Sequence, residues 1–73
     1  MTLEFVKRKP KSFFHNKKAI LNSKQENIGG EIIESGSIVQ IIGKNRSNLG
    51  IDIKDENGII IYNVWPEYID LIK

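Results

Sequence analysis

Apolar and polar positions alternate with a period of two through most of the second half of the chain. No stretch of eleven residues keeps apolar side chains at i, i+3, i+4 and i+7, so the pattern favours strands over helices. Isoleucine supplies most of the apolar positions, and its branched Cβ is stiff in a way that suits strands. Strands are predicted over residues 31–34, 37–43 (SIVQIIG), 49–54, 59–64 and 69–72. In the third of these, Leu49, Ile51 and Ile53 should face the core, with Gly50, Asp52 and Lys54 facing out. Asn57-Gly58 lies between two apolar runs and predicts a tight hairpin, because both residue types tolerate positive φ. Pro66-Glu67-Tyr68 predicts a single helical turn.

The first thirty residues are less regular. Residues 2–8 read as a short alternating strand through Leu3 and Phe5, interrupted by Pro10, which cannot donate to a ladder. Residues 12–30 are polar apart from an apolar patch at residues 19–21. They predict a long loop, with room for a short irregular hairpin, punctuated by Gly29-Gly30. Five or six short strands have to hide their edges, and closing on themselves does so. The expectation is therefore an all-β protein, a small five-stranded barrel with a long N-terminal loop and one helical turn near Pro66. A chain of 73 residues forms one domain and buries only about 60% of its unfolded surface. Its residues 1–30 carry the basic first strand and loop, and residues 31–73 carry the regular strands.

From Glu31 onward the chain resembles Src-homology-3-like barrels. EIIESGSIVQIIGK is similar to the family's E-L-S-x-x-x-G-D-x-I-x-V-L run, in which a diverging turn feeds a central strand. Gly36 falls on the turn glycine, and Ile38, Val39 and Ile41 fall on the strand's apolar positions. LGIDIKDENGIIIYNVWPEYIDLI resembles the family's distal hairpin, followed by an aromatic-Pro turn, a Tyr and a last strand. Bacterial members look similar over Gly30 to Gly43. Leu49-Gly50 stands where the peptide-binding form has a Trp, the A-L-Y-D-Y segment has no counterpart, and only Trp65, Pro66 and Tyr68 remain of its groove. Proline-rich recognition is therefore not implied. GSIVQIIGKNRSNLGI also partly resembles the KOW-type segment of ribosomal and transcription-elongation proteins, with Gly36, Gly43, Lys44, Arg46 and Gly50 in place.

Charge changes the picture more than composition does. Residues 1–24 hold seven Lys/Arg against Glu4 alone, whereas residues 25–73 hold four basic and eight acidic groups. Such an asymmetry steers an anionic partner toward one face. Isoleucine occurs fourteen times, lysine nine and asparagine seven, while arginine occurs twice. All three abundant types use A/T-rich codons, which points to a bacterial or phage source. Phe13, Phe14 and His15 stand among Lys9, Lys11, Lys17 and Lys18. Aromatics between cations can stack bases while lysines meet phosphates; equally, one phenylalanine can close the end of a small core while the other turns outward, since neighbours on an extended chain alternate faces. Trp65 suits either a packed lid or an interface anchor.

Little in the sequence supports catalysis. There is one histidine, no cysteine, and no spacing of carboxylates that would build a shared acid–base cleft or gather three or four metal ligands. No cofactor or metal is expected. The start lacks the apolar stretch of a secretory signal, and no apolar run reaches the length of a membrane span, so a cytoplasmic protein away from membranes is expected. The reading is a non-enzymatic module that docks onto a larger, acidic protein through Trp65, Tyr68, Phe13, Phe14, Lys7, Arg8, Lys9, Lys11, Lys17 and Lys18. The alternative is a nucleic-acid-binding barrel that contacts phosphates through Lys9, Lys11, Lys17, Lys18, Lys44 and Arg46.

Overall fold

The computed structural model describes residues 1–45 and 50–72. Most of its regular structure is strand, so the all-β expectation holds. Two short helices come first, α1 (Leu3–Arg8) and α2 (Lys11–Phe14). The strands follow: β1 (Lys18–Leu21), β2 (Gln25–Glu26), β3 (Ile32–Ile33), β4 (Ile38–Lys44), β5 (Ile51–Asp55), β6 (Ile60–Val64) and β7 (Ile69–Leu71). A one-turn 3-10 helix, Pro66–Tyr68, precedes β7, as the sequence predicts.

The helix α1 replaces the strand expected over residues 2–8. The Thr2 hydroxyl accepts the Phe5 amide at 3.1 Å, capping the first turn. Glu4 sits in that turn and Lys7 and Arg8 in the last one, the arrangement that complements a helix dipole. Lys9 returns to extended backbone at φ −92° and ψ 142°, as a residue before proline prefers. Residues 12–30 are likewise not a long loop. Their apolar patch forms β1, in which Ala19 and Leu21 are buried and Lys18 and Ile20 are exposed.

Strands β6, β5, β4, β1 and β7 form one antiparallel sheet in that order, while β2 and β3 make a separate hairpin. Val39 pairs with Ala19 on β1, and Ile41 with Ile53 on β5. The core lies on one side of this sheet and is built from Val6, Phe14, Leu21, Ile33, Ile41, Ile51, Ile53 and Ile69, with Ala19, Val39, Ile61 and Val64. Among the described residues no ladder joins β6 to β7, so the sheet does not close by strand pairing as expected. Its two edges are covered in other ways. Asn27 in the β2–β3 turn donates to the Ile60 carbonyl of β6 at 3.1 Å. The Met1 ammonium donates to the carbonyl of Ile69 on β7 and to that of Pro66.

The hairpin at Asn57-Gly58 forms, but with different chemistry from that expected. Gly58 alone has positive φ, at 86°. The Asp55 side chain closes the turn by accepting the amides of Asn57 at 3.0 Å and Ile59 at 2.8 Å. Within β5, Ile51 and Ile53 are buried and Lys54 is exposed, as predicted, whereas Gly50 is buried rather than outward-facing. Leu49 and Arg46 lie outside the described residues.

Candidate functional site

The single turn of α2 sets the geometry of the Phe13-Phe14 cluster. Successive residues on a helix are rotated by about 100° rather than the half-turn of a strand, so both rings can lean toward the core. Phe14 is fully buried and Phe13 half-buried. Phe5 from α1 completes a set of three edge-to-face pairs, with centroids 5.6 Å (Phe5–Phe13), 6.2 Å (Phe5–Phe14) and 5.1 Å (Phe13–Phe14) apart. Phe14 therefore closes the core, as one of the two readings expects of one ring, and cannot contact a partner; Phe13 packs half-buried against the core rather than turning outward, because the segment is helical and not extended.

Cations surround this cluster. The Lys17 ammonium lies 4.4 Å from the Phe13 centroid, and Lys9 lies 4.9 Å from Phe13 and 5.5 Å from Phe5. Lys44, on β4, lies 5.8 Å from Phe14 and donates to the Lys9 carbonyl at 2.7 Å. Cation–π contacts of this kind contribute about 0.5–1 kcal/mol each where solvent reaches them. The structure thus brings Lys9, Lys17 and Lys44 to one aromatic platform.

The other expected basic residues are arranged differently. Lys7, Arg8 and Lys11 are exposed on the two helices. Lys18 is also exposed, but it lies on the solvent face of the sheet opposite Gln40, in a depression shared with Lys54, Asp55 and Glu56. It does not join the helical cluster. Trp65 precedes the 3-10 turn and Tyr68 ends it; they are 47% and 40% exposed, which leaves both partly available and partly packed. Asn22 braces this turn, its amide donating to the Glu67 carbonyl at 2.9 Å and to Asp70 at 3.0 Å.

Among the described residues the only ion pair is Met1 ammonium to Asp70, at 3.9 Å. The cations on α1 and α2 and Lys17 therefore make no contact ion pair among the described residues. No group of three or more histidine, aspartate or glutamate side chains among the described residues is placed to hold a metal. No described helix is long and apolar enough to cross a membrane.

Sequence reasoning missed two features. Tyr62 is 66% exposed on β6, the outward position next to buried Ile61, and strand alternation could have found it. It lines a groove of about 520 Å³ with Lys11, His15 and Lys44, a combination assembled from three separate segments that no sequence motif announces. The second feature is an apolar groove of about 600 Å³ between the helices and β7, lined by Phe5, Phe13, Lys17 and Leu71 among others. No family model, curated protein or solved structure matches the chain.

Proposed function

We propose that this protein is a non-enzymatic binding module that docks onto an acidic surface of a larger protein, as an accessory subunit or inhibitor in the cytoplasm. The observation that carries the reading is the cationic end built from Lys7, Arg8, Lys9, Lys11 and Lys17, which makes no ion pair among the described residues and sits beside the partly buried rings of Phe5 and Phe13. Unpaired cations raise the rate of encounter with an acidic partner, and aromatic burial then holds it.

We further propose a Src-homology-3-like small barrel as the fold. The turn with Gly36 at φ 90°, the central strand β4, the β5–β6 hairpin, the proline-initiated turn and β7 follow one another in the order that the resemblance requires.

The test is affinity capture from the host with the wild-type protein and with a variant in which Lys7, Arg8, Lys9 and Lys11 are all serine. A discrete protein partner captured by the wild type and lost by the variant supports docking through the basic end. Equal capture by a folded variant reduces that end to a solubilising surface.

A second reading rests on the groove that combines Tyr62 with Lys11, His15 and Lys44, with Asp52 as its one acidic lining residue and the Lys44 ammonium also held by the Lys9 carbonyl. An exposed ring for base stacking beside cations for phosphates is the minimal single-strand nucleic-acid site. Titration with random DNA and RNA at two salt concentrations decides it. Affinity that collapses as salt rises supports this reading, and no binding at low salt removes it.

A further inference from the structure

We infer that the groove between the two N-terminal helices and β7 is a docking slot for an extended acidic peptide segment of the partner, carrying one apolar anchor side chain. The inference rests on the protein-docking reading and specifies where and what the module grips.

The groove is a shallow, mostly apolar trough open to solvent, with room for one large side chain and its neighbours. Its volume of about 600 Å³ lies within the range of sites that hold a bound group. Phe5 and Phe13 form one wall and Leu71 and Ile72 the other. Phe5, Phe13 and Leu71 pack on the core but are only partly buried, and Ile72 is 44% exposed, so apolar surface remains open where the core is already complete. An inserted aliphatic or aromatic side chain removes that surface from water.

The charges select the residues next to the anchor. At the Phe13 end the Lys17 and Lys9 ammonium groups stand 4.4 Å and 4.9 Å from the ring, without an acidic partner among the described residues. At the other end Asp70 is already engaged, accepting from Asn22 at 3.0 Å and facing the Met1 ammonium at 3.9 Å. Lys17, Lys9 and the Met1 ammonium together outnumber exposed Asp70 around the groove, a balance that favours aspartate or glutamate beside the anchor.

The main chain of β7 adds direction. The Tyr68 carbonyl accepts from Asn22, and the Ile72 amide donates to Lys18, so the even-numbered residues bond to β1. Leu71, in the opposite phase, directs its amide and carbonyl to the opposite edge, beside the groove. Because the Met1 ammonium takes the Ile69 carbonyl and the Ile69 amide donates to Pro66, an extended segment gains at most the pair of backbone hydrogen bonds that Leu71 offers, in addition to its anchor.

The test selects binders from a display library of random octapeptides on the full chain and maps the best one by amide chemical shifts. The expected peptides carry one large apolar residue adjacent to aspartate or glutamate, and they perturb Thr2, Phe5, Phe13, Lys17 and Leu71. Lys17→Glu should weaken binding by about ten-fold or more, with a cooperative melting transition retained and lowered only by the lost contact with Phe13, while the control Lys54→Glu changes binding by less than about three-fold. A peptide with its acids replaced by lysine should regain affinity for the Lys17→Glu variant. An absence of binders, binders without acidic residues, or shifts centred on Trp65 and Tyr68 or on the exposed Ile20–Ile38 pair would each overturn the groove assignment. Partner capture by the basic end remains a separate measurement, so loss of the groove does not remove the docking reading.

Discussion

Gly50 lies directly against the left-handed turn at Asn63, whose φ is 61°. A Cβ at Gly50 would stand 2.1 Å from Asn63 Oδ1 and 2.7 Å from its carbonyl carbon, and the backbone atom cannot yield as a flexible side chain could. Gly50→Ala should therefore destabilise the protein by more than about 3 kcal/mol, read as a lower urea midpoint; a loss below about 1 kcal/mol would contradict this close approach. Alternation assigned Gly50 outward, because a strand pattern cannot reveal that a neighbouring strand bulges into contact. Phe13 and Phe14 pose a similar problem. Adjacent and chemically identical, they differ only through the local backbone. Phe14→Ala should cost about 3–5 kcal/mol, the range for deleting a buried aromatic side chain, while Phe13→Ala should cost clearly less. Equal losses in denaturant melts would mean that the two rings are equally enclosed.

At the scale of elements, the β5–β6 hairpin was legible from Asn57-Gly58, but the residue that closes it was not singled out. Asp55 holds the amides of both Asn57 and Ile59. Asp55→Ala should lower stability by about 1–2 kcal/mol through two lost acceptor contacts, and an unchanged thermal midpoint would show that the turn holds without them. The regular strands β4 to β7 were readable because their apolar residues keep one phase across long runs. Helix α1 was not, since six residues with apolar positions at Leu3, Phe5 and Val6 fit either period. Its signals were present in Thr2, Glu4, Lys7, Arg8 and Pro10, and they speak through caps and dipole rather than through hydrophobic phase. Strand β1 was passed over because four residues between polar neighbours gain their strand character only from β4 and β7 on either side.

For the molecule as a whole, the charge asymmetry of the sequence survives folding in part: α1 and α2 keep Lys7, Arg8, Lys9 and Lys11 near Lys17, while Lys18 lies apart on the solvent face of the sheet beside Asp55 and Glu56. The groove and the Tyr62 cleft could not be read in advance, since each joins segments distant along the chain. The same holds for the treatment of the sheet's edges. One side-chain amide, Asn27 Nδ2, fastens the β2–β3 turn over β6 while its partner atom Oδ1 accepts the Glu31 amide at 2.9 Å. Exposed sheet edges recruit further chains. Asn27→Ala should leave the monomer folded yet uncover a template along β6. The resulting assemblies should grow with concentration in light scattering and stain with thioflavin, whereas a strictly monomeric variant would mean that the turn stays in place unaided. A single carboxamide would then separate a solution of discrete molecules from one that seeds fibres.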